Sequence, residues 1–318
     1  MTFLLIVAGL VLLAIGGEAL VRGSVALGAR FELSPLLIGM VIVGFGTSMP
    51  ELVVSVRATM EGTPALAVGN VIGSNISNIL LILGITALIR PMGKPKRVLM
   101  PDGIILLVVS AAVILLGLEG TIPALQGAIF LMLLAGLIAA EYFRARRETA
   151  LKQILEEPIP LPAEVPQRLL VSLLLVATGI AALVYGGDLL VDGATRFARI
   201  IGVSEGVIGL TIVAIGTSLP ELASSIVASR RGHSAVAYGN IIGSNLFNLL
   251  GILGASALAG PLAFPFVMVW FDGPVMVAAT AVMLAFLTTG TGLSRREATA
   301  MVGFYAAYVT LRYVYALV

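Results

Sequence analysis

The sequence contains no cysteine and a single histidine, and it has few charged residues. The absence of cysteine excludes disulfide bonds, thiolate metal sites and a cysteine nucleophile. Only 11% of the residues are charged and 59% are hydrophobic, so the chain cannot present an ordinary charged surface to water. The formal net charge of +2 does not indicate a nucleic-acid partner, because the basic residues form short clusters between apolar runs. These properties predict a membrane protein embedded in a lipid bilayer.

Apolar stretches of about 20 residues, each long enough to cross the hydrocarbon core of a bilayer, recur along the chain. They predict an all-α polytopic fold with ten transmembrane helices, near 2–21, 35–58, 64–88, 100–118, 122–143, 168–190, 204–228, 235–258, 264–288 and 297–317. Most of the 19 basic residues follow odd-numbered helices, which predicts a multi-pass cell-membrane protein with both termini outside. The longest hydrophilic connection, 144–167, is predicted to be a cytoplasmic linker.

The chain also contains an internal repeat, which appears when the sequence is shifted by 170 residues. The repeat divides the chain into two five-helix halves, 1–143 and 168–318, which contain the matching motifs 39–88 and 209–258. Because five is an odd number, the second half must enter the membrane from the opposite side. The two repeats are therefore predicted to be inverted, an arrangement that is common in secondary transporters with a binding site near the membrane midplane.

The heptapeptide G-T-S-x-P-E-L occurs once in each half, beginning at Gly46 and at Gly216. Each copy lies within an apolar span. Its proline, Pro50 or Pro220, lacks a backbone donor and clashes with the preceding turn, so we expect each helix to break just before the proline. Backbone carbonyl groups freed by such a break are tolerated in a membrane only where they line a cavity.

The glutamate of each heptapeptide is the main candidate for ion binding. A carboxylate at this depth costs a few kcal/mol, and the sequence places Glu51 and Glu221 at corresponding positions, which predicts a cation between them. Two bidentate glutamates and the carbonyl groups of Thr47 and Thr217, where the breaks are expected, would supply six hard oxygens, which suits Ca2+. The same oxygens, used singly, would also serve Na+.

A second motif, G-N-x-I-G-S-N, begins at Gly69 and at Gly239. At 3.6 residues per turn, three polar side chains of each copy share one helical face. These are Asn70, Ser74 and Asn78 in the first half and Asn240, Ser244 and Asn248 in the second. The glycines have small-xxx-small spacing, so an alternative interpretation is that the amides simply join closely packed helices.

The two pairs of motifs resemble the α-repeats of the cation/calcium exchanger superfamily, most closely a prokaryotic sodium/calcium exchanger. The resemblance covers both halves and implies an antiporter with Ca2+ and Na+ as substrates and no cofactor. It implies that Glu51 and Glu221 coordinate Ca2+ together with Thr47 and Thr217. Further ion ligands that it implies, chiefly for sodium, are Ser48, Ser218, Ser74, Ser244, Asn78, Asn248 and the carbonyl groups of Gly44 and Ala214.

The resemblance also implies alternating access, in which the first and sixth helices slide past the other eight. The paired glycines 16–17 and 186–187 would suit such sliding. Glu18 and Asp188 correspond across the repeat near the ends of these helices. They are expected either to guide cations or to lock one state by pairing with Arg22 or another basic residue.

Asn248 distinguishes this chain from many members of the superfamily, which have an aspartate at that position. Asn78 is also neutral, so only two carboxylates remain at the predicted site. One Ca2+ or two Na+ would neutralise them, whereas a third Na+ would make transport sensitive to membrane voltage. The stoichiometry stays open, and coupling to potassium is disfavoured.

The sequence leaves three alternative functions. A Ca2+/H+ antiporter is the main alternative, because buried glutamates can also carry protons, but related proton-coupled exchangers usually have a glutamate inside the G-N motif and this chain has none. A cation channel is compatible with inverted repeats and broken helices. An intramembrane hydrolase is disfavoured, because there is no H-E-x-x-H motif and no membrane histidine to activate a serine. We therefore expect a monomeric transporter rather than an enzyme.

Overall fold

The computed structural model describes residues 2–31, 33–93, 99–154, 168–201, 214–289 and 292–317, which are almost entirely helical. The helices are α1 (Thr2–Arg30), α2 (Pro35–Thr47), α3 (Met49–Met60), α4 (Pro64–Ile89), α5 (Leu99–Gly117), α6 (Ala124–Ile154), α7 (Leu169–Ile200), α8 (Ala214–Gly216), α9 (Leu219–Arg230), α10 (Ser234–Ala259), α11 (Gly273–Thr289) and α12 (Arg295–Leu317). The strands are β1 (Met92–Gly93), β2 (Thr121–Ile122), β3 (Leu262–Ala263) and β4 (Gly292–Leu293).

Six helical segments in the described ranges are long and apolar enough to cross a membrane. They belong to α1, α4, α6, α7, α10 and the stretch Met268–Thr288 that contains most of α11. Helices α2 and α3 together form a further candidate span that is bent by 48°. The polytopic helical membrane fold is thus confirmed, whereas the count of ten spans and their inverted arrangement stay predictions.

Several elements recur with identical bounds at the 170-residue offset. Helix α3 corresponds to α9, α4 to α10, and β1 to β3. The strands pair across the halves, because β1 is antiparallel to β4 and β2 is antiparallel to β3. Each two-stranded sheet therefore contains one strand from each half, and the two halves interlock.

The predicted helix breaks are present. Helix α2 ends at Thr47 and α3 begins at Met49, and a turn at Thr217 and Ser218 separates α8 from α9. Pro50 and Pro220 lie in the first turn of the new helix, where no intrahelical partner is needed for a backbone N–H. In α4 and α10 the backbone is π-helical over Ser77–Ile82 and Phe247–Ile252, and such wide turns are frequent at functional sites.

Helices α1 and α7 pack against each other in antiparallel orientation. Their contact is lined by glycines spaced seven residues apart, which places them on one face of each helix. These are Gly9, Gly16 and Gly23 in α1 and Gly179, Gly186 and Gly193 in α7. A Cβ atom added to Gly16 would lie 2.9 Å from the backbone nitrogen of Leu183, and one added to Gly179 would lie 2.5 Å from that of Leu20. Only glycine permits this approach.

Three helices extend beyond the predicted spans. Helix α1 reaches Arg30 and α7 reaches Ile200, beyond the expected ends at 21 and 190, and α6 continues to Ile154, beyond its apolar candidate span Ala124–Arg144, so the predicted linker 144–167 begins within this helix. Apolar runs underestimate such helices because Arg, Glu, Lys and Gln are themselves good helix formers. The remaining linker residues 155–167, and residues 202–213 of the predicted seventh span and second motif, lie outside the described residues.

Candidate cation site

Two buried carboxylates lie where the chain resumes its helix after each break. Glu51 is in the first turn of α3 and Glu221 is in the first turn of α9, and each is 1% exposed. A helix N-terminus favours negative charge, which stabilises both carboxylates in this position. The two groups are close enough to interact electrostatically. Glu51 Oε2 and Glu221 Oε2 are buried, and neither has a hydrogen-bond partner among the described residues.

Hydroxyl groups from one half face the carboxylate of the other half. Ser48 Oγ donates a hydrogen bond to Glu221 Oε1 at 2.9 Å. The side chains of Thr217 and Ser218 lie beside the Glu51 carboxyl group. Each half thus contributes hydroxyl groups that contact the carboxylate of the other half. The carboxylates and hydroxyls that were predicted from separate motifs therefore lie close together.

Two buried asparagines, Asn78 and Asn248, have amide oxygens without a hydrogen-bond partner among the described residues. Asn78 and Asn248, in the π-helical stretches of α4 and α10, are 1% exposed. Their nitrogens are bonded, because Asn78 Nδ2 lies 3.4 Å from Asn245 Oδ1 and Asn248 Nδ2 lies 3.0 Å from Asn75 Oδ1. Their Oδ1 atoms, in contrast, are buried and have no partner in the described part of the chain. The interhelical bonds of Asn78 and Asn248 therefore use their nitrogens and leave their oxygens available, and the ligand role of these oxygens stays a prediction.

The helices that carry these groups are packed against one another. Helix α3, which bears Glu51, packs against the π-helical stretch that contains Asn248. Helix α9, which bears Glu221, packs in the same way against the stretch that contains Asn78. The glutamate-bearing helix of each half therefore contacts the asparagine-bearing stretch of the other half.

Two other predicted ligands, Thr47 and the Gly44 carbonyl group, already take part in hydrogen bonds within the protein. Thr47 Oγ1 bonds to Val43 O at 3.0 Å and lies 3.3 Å from Asn240 Oδ1. The carbonyl oxygen of Gly44 accepts hydrogen bonds from the Ser48 nitrogen at 3.1 Å and from Ser244 Oγ at 3.3 Å. A sodium ion shared by Gly44 O and Ser244 Oγ would therefore require only the hydroxyl hydrogen of Ser244 to rotate away from Gly44 O.

In the first half, Ser74 is buried in α4, and Ala214 begins α8. At the 170-residue offset, the contact of Ser244 with Gly44 corresponds to a contact of Ser74 with the carbonyl group of Ala214, the first residue described after the gap at 202–213. The ligand roles of all these residues stay predictions.

The structure adds polar residues that the sequence analysis had not assigned to the site. Asn240 Nδ2 contacts Ser225 Oγ at 2.8 Å and Ser224 Oγ at 3.1 Å, so it ties α10 to α9. Asn70 Nδ2 makes the matching bond to Ser55 Oγ at 2.9 Å and ties α4 to α3. Here the alternative of interhelical amide bonds is correct. The sequence signal for these bonds was an asparagine at the second position of each G-N motif, Asn70 and Asn240, together with serines on the preceding helix.

Tight packing between α2 and α10 also follows from the second motif. A Cβ atom added to Gly239 would lie 2.5 Å from Leu36 O, and one added to Gly243 would lie 2.4 Å from the Met40 Cα. The small-xxx-small prediction is therefore correct for these two glycines. Their absence of side chains lets α2, which ends at Thr47, approach the polar face of α10.

A cavity of about 380 Å³ approaches the site from one side. It is lined by Asp188, Asp192 and Thr195 of α7 and by Thr217 next to the second break. On the opposite side α1 is packed against α9, and a Cβ atom added to Gly17 would lie 3.2 Å from Val227 Cγ2. The cavity therefore lies beside the second break, and the packing of α1 on α9 lies beside Gly17.

The chemistry of this site suits hard cations. Carboxylate, hydroxyl, amide and carbonyl oxygens are the ligands that Ca2+ and Na+ take in proteins, and Ca2+ requires six to eight of them. The described residues contain no group of three or more His, Cys, Asp or Glu side chains suited to a metal ion. The fixed charge of the site is therefore that of two carboxylates, and the remaining oxygens are neutral.

The comparisons with known proteins agree with this chemistry. A profile of the family described as sodium/calcium exchanger protein matches residues 1–143 and 171–314. The chain is 36% identical over 282 residues to the putative antiporter CaxA of Alkalimonas amylolytica, which covers 88% of this chain and 87% of that protein. It is 29% identical over 341 residues to the sodium/calcium exchanger MaX1 of Methanosarcina acetivorans, which covers 97% of each. A solved structure of the sodium-calcium exchanger NCX_Mj, soaked with 10 mM Na+ and 10 mM Sr2+, matches with a TM-score of 0.80 at 29% identity and covers 97% of both chains.

Proposed function

Because this chain belongs to the sodium/calcium exchanger protein family, we propose that it exchanges Ca2+ for Na+ as a secondary active antiporter. The observation that carries the proposal is the pair of buried carboxylates, Glu51 and Glu221, each with an oxygen that lacks a partner among the described residues. Two such charges are tolerable at this depth only when a cation or a proton neutralises them. One Ca2+ or two Na+ balance them equally, as exchange at a shared site requires.

The full ligand set of the proposal combines both halves. Glu51, Glu221, Asn78 and Asn248 supply the oxygens that lack partners, and they surround the central ion. The hydroxyl and carbonyl groups at the two breaks extend the set toward sodium positions on either side. Those groups are Thr47, Ser48, Ser74, Thr217, Ser218, Ser244, and the carbonyl groups of Gly44 and Ala214.

Alternating access would move α1 and α7 together against the remaining helices. Their glycine-lined contact keeps the pair together, while Gly17 and Gly187 face the breaks and α9 rather than the contact itself. The cavity beside Asp188 corresponds to one open access route, and sliding of the pair would close it and open the route beside Glu18. Ten spans in two inverted repeats would make the two routes equivalent.

The membrane orientation belongs to the same proposal. Both termini lie outside, and the connection that contains residues 155–167 lies in the cytoplasm. Because the chain lacks cysteine, single cysteines introduced at Glu156 and at Thr2 report their side without background labelling. The orientation predicts that an impermeant maleimide labels Thr2→Cys in intact cells and labels Glu156→Cys only after lysis. The opposite pattern would reverse the assigned orientation.

Transport in proteoliposomes tests the function. Sodium-loaded vesicles diluted into sodium-free buffer should take up 45Ca2+, and Glu51→Gln or Glu221→Gln should reduce the initial rate at least tenfold, since each removes a charged ligand worth more than about 1.4 kcal/mol. Glu61→Gln is the matched control, because Glu61 is exposed and pairs with Arg57. Uptake that follows an imposed proton gradient instead would establish the Ca2+/H+ alternative, and uptake without any counter-ion would establish a channel.

A further inference from the structure

Four buried asparagines form a hydrogen-bonded chain across the two halves, next to the carboxylates. They are Asn75 and Asn78 in α4 and Asn245 and Asn248 in α10. Asn75 is central, because its Nδ2 donates to the Asn245 carbonyl oxygen at 3.2 Å and its Oδ1 accepts from Asn248 Nδ2 at 3.0 Å. Asn75 is also fully buried, so water does not substitute for either bond.

This arrangement fixes which end of Asn75 is the acceptor. A backbone carbonyl group can only accept, so the Asn75 atom that faces Asn245 O must be the NH2 group. The oxygen of Asn75 is then the atom that faces Asn248. Consequently Asn248 turns its own NH2 group toward Asn75, and its Oδ1 is left buried without a partner in the described chain.

The orientation of Asn248 matters because its amide has two chemically opposite ends. The oxygen coordinates a cation, whereas the NH2 group carries positive partial charge and repels one. The two ends have nearly the same size, so packing alone distinguishes them poorly. A hydrogen-bond partner of fixed polarity is the feature that selects one orientation.

We propose that Asn75 is a positioning residue, which holds the Asn248 amide so that its oxygen faces the bound cation. The inference rests on the proposed function, because it needs a cation at Glu51 and Glu221. It explains how a neutral asparagine serves at a position where a carboxylate would need no orientation. An aspartate has two equivalent oxygens, so either rotamer presents a ligand to the ion.

A double-mutant cycle for Ca2+ affinity, measured by calorimetry on the purified protein in detergent, tests the proposal. Asn75→Leu preserves size but removes the acceptor, and it should raise the Kd for Ca2+ about tenfold, as expected for a lost buried hydrogen bond near a charge. In the Asn248→Asp background the same change should raise the Kd less than about threefold. Equal factors in the two backgrounds, or no change in the first, would overturn the proposal.

A conservative variant separates positioning from general damage to the fold. Asn75→Asp keeps an acceptor toward Asn248 Nδ2 and adds a negative charge near the ion, so its Kd for Ca2+ should rise by no more than about threefold even though it loses the bond to Asn245. A loss of affinity in Asn75→Asp as large as in Asn75→Leu would contradict the role of the acceptor. If the unchanged protein bound no Ca2+, the proposed function would fail as well. If it binds Ca2+ and the cycle is flat, only this inference fails.

Discussion

Arg231, in the turn after α9, donates a hydrogen bond from Nε to Glu18 Oε2 of α1 at 2.7 Å. Arg22 of α1 also forms an ion pair with Glu18. Glu18 was expected either to guide cations or to pair with a basic residue, and in the structure it pairs with Arg22 and Arg231. The positions related by the 170-residue offset are Asp188 and Glu61, which are both acidic and cannot form the same bond. The ion pair thus joins α1 to the end of α9, while Asp188 lines the cavity beside the second break.

Removal of the Glu18 carboxylate is predicted to favour separation of α1 from α9. Val227 faces Gly17 and is half-buried, so a cysteine there should react with a maleimide faster when this contact opens. Both partners of the ion pair are partly exposed, so the pair contributes about 1 kcal/mol at most. Glu18→Gln should therefore raise the labelling rate of Val227→Cys up to about fivefold, as measured by mass spectrometry.

The matched control for this prediction is Asp192→Asn on α7. Asp192 pairs with Arg196 of its own helix, so its loss leaves the contact between α1 and α9 intact. Labelling of Val227→Cys should be unchanged in that variant. An equal increase in both variants would mean that the labelling reports general loosening rather than release of the Glu18–Arg231 pair.

Addition of Ca2+ is predicted to stabilise the folded protein in detergent. A ligand that binds only the folded state adds about 2.7 kcal/mol at one hundred times its Kd, which raises the melting temperature by several degrees. The rise should disappear in Glu51→Gln and persist in Glu61→Gln, and a chelator should reverse it. A rise of the same size in Glu51→Gln would place the stabilising ion elsewhere.

Replacement of Gly16 by alanine is predicted to disturb the contact between α1 and α7. The new Cβ would lie 2.9 Å from Leu183 N and 3.0 Å from Ala182 Cβ, so the helices must move apart at a cost of about 1–3 kcal/mol. The melting temperature in detergent should fall. Gly136→Ala in α6 is the control, because a Cβ atom there meets nothing within 4 Å among the described residues. A fall of equal size in both variants would indicate lost glycine flexibility rather than a clash.

Loss of the Asn240 amide is predicted to cost more stability than loss of its counterpart Asn70. Asn240 is fully buried and its Nδ2 contacts Ser224, Ser225 and the Glu221 carbonyl oxygen. Asn70 is only partly buried, and its contacts are fewer. Each buried donor or acceptor left without a partner costs about 1–3 kcal/mol.

Chemical denaturation with and without Ca2+ measures this difference. Asn240→Ala should lower the unfolding midpoint more than Asn70→Ala in both conditions. Asn240→Ala should also weaken Ca2+ binding, because Asn240 helps to hold the turn of α9 that bears Glu221. Equal effects of the two substitutions would mean that the extra contacts of Asn240 contribute nothing.

The sequence was a good guide to the site because chemistry in a membrane leaves little choice. A glutamate inside an apolar run requires a cation or a proton to neutralise it, and a proline next to it favours a break, so the burial of Glu51 and Glu221 at two breaks was predictable from single positions. The 170-residue repeat then related Glu51 to Glu221 and the first break to the second. The ends of α1, α6 and α7 were not predictable from apolar runs, because charged residues continue a helix beyond the bilayer as readily as apolar ones.

The orientation of the amides was not predictable either. The sequence placed Asn70, Asn78, Asn240 and Asn248 on two polar faces, but a helical face does not reveal which amides join helices and which retain a free oxygen. That distinction depends on Ser55, Ser225 and Asn75, which lie on other helices or on another face of the same helix. Hydrogen bonds between segments that are far apart in the sequence therefore determine the orientation of each amide.

By itself, the sequence determined that the chain is a helical membrane protein with a duplicated pair of acidic motifs, since composition and local residue order fix hydropathy and helix breaks. Only the tertiary structure decided that α1 and α7 pack closely through glycines, that Glu18 pairs with Arg231, and that a cavity lies beside Asp188. The physical reason is that these features are contacts between segments far apart in the chain. Their energies depend on distances that no local pattern encodes.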